Sequence, residues 1–410
     1  MRSEALPHIT IPLSRRAPWD TPRSLVSLRT EVANIIAKYN RTLTAYQINT
    51  GNEHSLAHAF YARHPPTHGR TERRDSGVDP LTPYGQPFPS LWSGSINVGT
   101  PSDSFTVDFD TGSSDLFLPG PDCDSCQGHN IYQPSVSQTS VDLNKTFTLA
   151  YGDGSKVSGE QYIDTVVIAG LTVDQQPLGV ANQYSESLQA SNFQADGILG
   201  MAFPSLAEIG SSPVFQTLMS QKQVSEPLFA FRLAAEGEGF SALYLGSGDF
   251  QGEFTYTTVT EAAYWQVTLE SIEVNGKDAV ENIPAIIDTG TTLILGDGMN
   301  VLAFYEHIPG AFEIPDGSGF WSIPCRPPTV SLKFGGQAFP ILPQALVIPA
   351  YSVGEPAFCV GAVVADSGII VSDSDAPSFW VVGDAFLRGV FAVFDAGNQR
   401  VGFAALSDAS

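Results

Sequence analysis

Two aspartates stand in nearly identical surroundings, far apart in the chain. Asp110 lies in VDFDTGSSDLFLP and Asp288 in AIIDTGTTLILGD, so each carboxylate is set in an apolar run and followed by Thr-Gly and hydroxyl residues. A lone charge removed from water is costly unless it finds partners or shifts its pKa. Two such carboxylates facing each other cannot both ionise cheaply, and they hold one proton between them over an acidic range. We predict that Asp110 and Asp288 are catalytic residues.

A carboxylate pair that shares one proton contains both partners of acid-base catalysis. Its ionised member can take a proton from a water molecule between them, while its protonated member gives one to a substrate carbonyl. In each copy a glycine, Gly112 or Gly290, lets backbone N–H groups approach the carboxylate. The hydroxyl that follows, Ser113 or Thr291, can donate a hydrogen bond to the outer carboxylate oxygen.

Other sites could contain one such aspartate. A single Asp-Thr-Gly is typical of a turn in which the Asp side chain binds nearby backbone, but two copies in matched apolar runs argue against this. A calcium loop would begin correctly at Asp108 and Asp110, yet Pro119 stands where the bidentate Glu belongs. A glycoside hydrolase also uses two carboxylates, but it has no need to place each in a duplicated turn.

Charge and histidine are unevenly distributed along the 410 residues. Residues 1–74 hold 11 of the 20 Lys and Arg, 5 of the 43 Asp and Glu, and five of the seven His. The remaining 336 residues are strongly acidic, which disfavours nucleic-acid binding and makes acidic conditions the more favourable medium. Only His129 and His307 are left for the main body, and neither lies in a motif for a Ser-His-Asp triad or a zinc protease.

A second pattern follows each Asp-Thr-Gly at a similar distance. DGILGMAF spans residues 196–203 and WVVGDAFL spans 380–387, so one motif pair occurs twice. The main body is dense in Gly, Pro, Thr and Val with short alternating runs, which predicts strands. We therefore expect two lobes of similar build, each presenting one carboxylate. We include Ile198 of the first motif among the expected substrate-binding residues.

The four cysteines form two pairs by spacing. Cys123 and Cys126 could close a tight loop and Cys325 and Cys359 a longer one, although a redox or zinc role for CDSC stays open. Structural disulfides would indicate an oxidising compartment. The sequons at Asn40 and Asn144 predict glycosylation there. The opening MRSEALPHITIPLSRR lacks the apolar core of a signal peptide, so we expect that a signal peptide is absent from this sequence.

Residues 84–404 resemble the pepsin-like aspartic endopeptidases. The motifs that carry this resemblance are both DTG sequences, YGDGS, DGILG, YWQVTLESI and VVGDAFLRGVFAVFDAGNQRVGFA. The resemblance implies an all-β, bilobal fold with a central cleft, preceded by a mixed helical prosegment. We place the prosegment at 1–74, the N-terminal lobe at 75–260 and the C-terminal lobe at 261–410. An alternative is a catalytically inactive, pepsin-like binding protein.

The resemblance assigns YGDGS to a mobile flap hairpin over the cleft, with Tyr151 covering the substrate and Gly152 beside it. Asp153 could pair with a substrate Lys, as flap acids do in fungal-type members of the family. We predict broad cleavage between bulky apolar residues, with Lys tolerated before the cleaved bond. The chain departs from the family at Phe117, where a Trp usually donates to the flap tyrosine.

The resemblance also implies that the first segment inhibits the enzyme. Leu25, Leu28, Val32, Ile35 and Ile36 have helical spacing in Ser24–Tyr39. Lys38 is the candidate to lie between the two aspartates, with Tyr39 beside it, and Arg73-Arg74 is a plausible processing site.

We predict no cofactor, metal, nucleic-acid or membrane partner. The expected partners are protein and peptide substrates and the chain's own prosegment, and the expected state is a secreted or, alternatively, vacuolar monomer.

Overall fold

The computed structural model describes residues 9–15, 24–63, 92–150, 156–234, 241–246, 253–348, 358–366 and 379–406. The flap motif at 151–155 and the dibasic pair at 73–74 lie outside these ranges. None of the helices in the described part of the chain combines the length and apolar character needed to span a membrane.

The described chain consists mainly of strands. Those in its first part are β1 (Ile9–Arg15), β2 (Trp92–Val98), β3 (Asp103–Asp110), β4 (Leu116–Pro119), β5 (Val141–Ala150), β6 (Lys156–Ile168), β7 (Leu171–Tyr184), β8 (Gly197–Gly200), β9 (Leu228–Arg232), β10 (Ser241–Leu245) and β11 (Thr255–Thr258). Those in its second part are β12 (Glu261–Ala262), β13 (Trp265–Val274), β14 (Lys277–Ile287), β15 (Ile294–Gly296), β16 (Phe312–Glu313), β17 (Trp321–Pro324), β18 (Val330–Phe334), β19 (Gln337–Pro340), β20 (Val347–Ile348), β21 (Phe358–Gly361), β22 (Val363–Ala365), β23 (Trp380–Val382), β24 (Val390–Asp395) and β25 (Arg400–Ala405).

Helices are fewer and mostly short. The α-helices of the described residues are α1 (Leu25–Thr50), α2 (Ala57–Arg63), α3 (Val214–Ser220), α4 (Gly298–Glu306), α5 (Pro343–Leu346) and α6 (Asp384–Leu387). Single 3-10 turns occur at Asp124–Cys126, Glu186–Leu188 and Pro204–Leu206. The predicted all-β fold with a helical N-terminal region is confirmed.

The largest sheet joins strands from both ends of the chain. Its thirteen described strands run in the order β11-β25-β24-β9-β10-β1-β2-β3-β8-β4-β7-β6-β5. A second sheet, from the later part of the chain, has the order β19-β18-β13-β14-β23-β15-β22, with β12 paired to β13. Trp265 of β13 packs against Phe229 and Phe394 of the large sheet, so one aromatic core connects the two sheets.

The repeated sequence motifs form the same strand arrangement twice. β3, which ends at Asp110, runs parallel to β8, and β4 returns antiparallel to β8. In the second copy β14, which ends directly before Asp288, runs parallel to β23, and β15 returns antiparallel to β23. Each aspartate is therefore held where a buried strand ends against its parallel neighbour.

The N-terminal region contributes a strand and a long helix. Helix α1 begins after Ser24, whose hydroxyl accepts a hydrogen bond from the Ser27 N–H, and it ends at Gly51 in the left-handed conformation. The helix extends well beyond the predicted Ser24–Tyr39 because Tyr39, Thr42 and other residues bury against the main body. β1, which the sequence analysis did not predict, pairs with β10 and β2.

Candidate active site

Local donors hold the Asp110 carboxylate on both sides. Its Oδ1 accepts a hydrogen bond from the Gly112 N–H at 2.9 Å, and its Oδ2 accepts one from the Ser113 hydroxyl at 2.5 Å. The residue is 3% exposed. Charge on this carboxylate is therefore stabilised by directed hydrogen bonds within its own turn.

Asp288 has the matching environment. Its Oδ1 accepts from the Gly290 N–H at 3.0 Å and its Oδ2 from the Thr291 hydroxyl at 2.6 Å. The two turns also face each other closely. A Cβ added to Gly290 would lie 2.2 Å from Oδ1 of Asp110, and one added to Gly112 would lie 2.7 Å from the Asp288 carboxyl group. Any side chain at either glycine would therefore displace the opposite carboxylate.

Two threonines connect the turns beneath the carboxylates. The Thr111 N–H donates to the Thr289 hydroxyl oxygen at 3.1 Å, and the Thr289 N–H donates to the Thr111 hydroxyl oxygen at 3.0 Å. Each hydroxyl then donates across to the opposite strand, Thr111 to the Ile287 carbonyl and Thr289 to the Phe109 carbonyl. This buried, reciprocal network fixes the distance between the two aspartates.

Helix α1 places a lysine directly between the carboxylates. The Lys38 Nζ lies 3.1 Å from Oδ1 of Asp110 and 2.6 Å from Oδ2 of Asp288. The Tyr39 hydroxyl donates to the same Asp288 oxygen at 2.9 Å. The Lys38 side chain is 11% exposed, and these contacts place Lys38 between the two carboxylates with Tyr39 beside it.

Burial and mutual charge set the ionisation of this cluster. Burial alone would lower the pKa of Lys38, but the charges of Asp110 and Asp288 outweigh it and raise that pKa. Burial opposes ionisation of Asp110, yet the ammonium group of Lys38 and local hydrogen bonds lower its pKa. Burial and the nearby charge of Asp110 raise the pKa of Asp288 despite Lys38. Ionisation is therefore easier at Asp110 than at Asp288.

A cavity of about 460 Å³ opens beside the pair, between helix α1 and the main body. Its lining includes Lys38, Asp110, Ser113, Phe117 and Ile198, so the predicted substrate-binding Ile198 faces the same space as the carboxylates. The predicted flap residues, Tyr151, Gly152 and Asp153, lie outside the described residues. Within the described ranges, no cluster of three or more His, Cys, Asp or Glu could hold a metal ion.

The remaining predicted residues concern disulfides and glycosylation. Disulfides join Cys123 to Cys126 and Cys325 to Cys359. Asn144 is exposed within strand β5, where the register with β6 shifts between Asp142 and Thr146, and its φ is 52°. Asn40 is half-buried in helix α1, and the threonine of its sequon, Thr42, is buried with its hydroxyl bonded to the Lys38 carbonyl.

A comparison with protein-family models identifies the family to which this chain belongs. Residues 92–406 match the family model described as eukaryotic aspartyl protease, and they include both Asp-Thr-Gly turns and both repeated motifs. The chain belongs to the eukaryotic aspartyl protease family. The protease is accordingly an aspartic endopeptidase, and the family resemblance expected from its sequence is confirmed.

The named relatives of the protease support this family assignment. It is 41% identical over 344 residues to an aspartic protease of Phaffia rhodozyma, covering 81% of this chain and 80% of the relative. It is 35% identical over 353 residues to cathepsin E of Rattus norvegicus, covering 80% and 83%. It is 34% identical over 323 residues to pepsin A of Bos taurus, covering 76% and 83%.

Sequence reasoning about the protease missed the two connecting threonines. Thr111 and Thr289 are the middle residues of the repeated Asp-Thr-Gly, and that shared position was the available signal. It also missed Tyr264, whose hydroxyl contacts that of Thr42 at 2.5 Å and whose ring packs against Tyr39. Nothing in the local sequence around Tyr264 indicates a partner more than 200 residues earlier in the chain.

Proposed function

We propose that the chain is the zymogen of an acid-acting endopeptidase in which Asp110 and Asp288 together activate one water molecule. The observation that carries this proposal is the single ammonium group of Lys38 within 3.1 Å of both carboxylates. A site that accommodates one small cation between the two groups can accommodate one water molecule there once the lysine leaves. The hydrogen-bond donors of the two turns, such as the Gly112 N–H and the Thr291 hydroxyl, remain around the carboxylates when helix α1 departs.

The reaction begins with one proton on the pair. The ionised carboxylate takes a proton from the water molecule as the water oxygen bonds to the carbonyl carbon of the substrate. At the same time the protonated carboxyl group gives its proton to the carbonyl oxygen. The resulting tetrahedral diol then collapses. The newly protonated carboxyl group donates to the amide nitrogen, the other carboxylate takes a hydroxyl proton, and the C–N bond breaks. An amine and an acid leave, and the pair again holds one proton.

The same contacts of helix α1 support an inhibitory role for residues 1–74. Lys38 occupies the position proposed for water, and Tyr39 blocks Asp288. Because the pKa of Asp110 is lowered below its usual value, its attraction to Lys38 is complete above that usual value and is lost as pH falls through the lowered one. Acidification therefore weakens the docking of the prosegment and favours its release.

The substrates in this proposal are proteins and peptides with bulky apolar residues at the cleaved bond, and Lys is tolerated before it through Asp153. The enzyme acts as a secreted monomer, with a vacuolar location as the alternative. Two disulfides are consistent with an oxidising compartment.

The test is hydrolysis of denatured haemoglobin after acid treatment of the full chain, at about pH 3.5, where a coupled carboxylate pair holds one proton. We expect Asp110→Asn and Asp288→Asn to lose about a thousandfold in rate or more, since each removes one partner of the acid-base pair. Asp103→Asn, at the exposed start of the same strand β3, is the matched control. An inactive wild-type protein would identify a binding protein of this fold instead, and activity that survives in either catalytic variant would refute the catalytic role of the replaced aspartate.

A further inference from the structure

An ion pair between Arg41 and Glu208 also joins the prosegment to the main body. The Arg41 Nε lies 3.1 Å from Oε1 of Glu208 and 3.2 Å from Oε2. Both side chains are nearly buried, with 11% and 12% exposed. Both also line the 460 Å³ cavity that contains Asp110, so this pair belongs to the cleft rather than to the outer surface.

Glu208 is held on a rigid support. Asp115, which is 5% exposed, accepts hydrogen bonds from the backbone N–H groups of Glu208 at 2.7 Å and Ile209 at 3.2 Å. Burial, followed by the charge of Glu208, raises the pKa of Asp115 to about 7. Asp115 is therefore largely protonated in the acidic range, where it holds the Glu208 backbone and leaves Glu208 as the partner of the Arg41 guanidinium group.

The position of Arg41 in helix α1 indicates how far Glu208 lies from the cleaved bond. Arg41 follows Lys38 by three residues in helix α1, which advances about 4.5 Å along the axis. The helix then continues along the loop that carries Glu208, where the Asn49 side chain donates to the carbonyls of Ser205 and Ala207. An extended peptide advances about 3.3 Å per residue, so Glu208 is within reach of a side chain a few residues from the cleaved bond.

We infer that Glu208, supported by Asp115, is a specificity-determining residue that binds a cationic substrate side chain, Arg or Lys, within about three residues of the cleaved bond. Arg41 occupies this subsite in the inhibited chain and vacates it when helix α1 leaves. The inference rests on the proposed function. It differs from the prediction for Asp153 because it concerns a substrate position beyond the cleaved pair.

Matched peptides test the inference with the acid-processed full chain. Each peptide carries the same bulky apolar pair at the cleaved bond, and Arg replaces Gln at one position at a time on either side. Burial raises the pKa of Glu208 above its usual value, so the rates are compared from about pH 4 to about pH 6.5. As Glu208 ionises within this range, we expect one Arg position to raise kcat/KM about fivefold, the effect of a partly exposed ion pair. Glu208→Gln should abolish that increase. Glu281→Gln, which removes an exposed carboxylate of β14, should retain it.

The preference of each enzyme is expressed as the ratio of kcat/KM for an Arg peptide to kcat/KM for the all-Gln peptide, so a general loss of activity in Glu208→Gln cancels from the comparison. Wild-type cleavage of all peptides at equal rates would overturn the inference alone, as would an Arg preference that persists in Glu208→Gln. A wild-type protein that cleaves none of them after acid treatment would overturn the proposed function and this inference with it.

Discussion

Replacing Lys38 with Met should let the prosegment leave at a higher pH. The substitution keeps the length of the side chain but removes the ammonium group that contacts Asp110 and Asp288. The three side chains are 11%, 4% and 0% exposed, so the energetics are those of a buried ion pair and not of a surface pair. Removing one partner of a buried pair costs about 3–5 kcal/mol.

The lower end of that range applies here. Each carboxylate keeps the donors of its own turn, and the pair can take up a proton from solvent once the cation is gone. A loss of about 3 kcal/mol weakens prosegment docking by a factor of about 150. If release takes up one proton, the same loss moves the pH midpoint of release upward by about two units.

The assay is incubation of the full chain across a pH series, followed by gel analysis and N-terminal sequencing of the product. Lys277→Met, at an exposed position on the β13–β14 hairpin, is the matched control and should process like the wild type. A midpoint that does not shift in Lys38→Met would refute the reasoning, because it would show that the ion pairs contribute nothing to docking.

Three further predictions concern the site and its support. Gly290→Ala should reduce kcat on a neutral peptide at least about tenfold, since its Cβ would meet Oδ1 of Asp110 at 2.2 Å and move the carboxylate off its productive geometry. Thr289→Val should lower the free energy of unfolding by about 2–4 kcal/mol in thermal or urea denaturation, because the Thr111 N–H and the Phe109 carbonyl both lose a buried partner. Asp153→Ser should reduce the ratio of kcat/KM for paired Lys and Phe peptides, and an unchanged ratio would contradict the proposed role of Asp153.

The duplicated turns were predictable because their determinants are local. An apolar run, an aspartate, a glycine and a hydroxyl residue specify a strand end with its own donors, and the structure places these groups around Asp110 and Asp288 alike. The repetition of the pattern also predicted that two such units would face each other, as the close approach of Gly112 to Asp288 shows.

Features that depend on distant partners were not predictable. Helix α1 continues beyond Tyr39 with polar residues such as Thr42, whose hydroxyl contacts that of Tyr264, 222 positions later in the sequence. The contact between Arg41 and Glu208 spans 167 positions. In both cases the local residues are those of an exposed helix, and only the opposing surface explains why they are buried.

Strand β1 gives cleavage of the linker a particular consequence. Ile9–Leu13 pair with β10, and Ser14 and Arg15 pair with β2, so this segment bridges two strands inside the largest sheet. Scission near residues 73–74 would cut the covalent connection without breaking that ladder. We therefore expect a cleaved species in which helix α1 still covers the two aspartates. Activity would then begin when strand β1 dissociates from the sheet, and not when the peptide bond is hydrolysed.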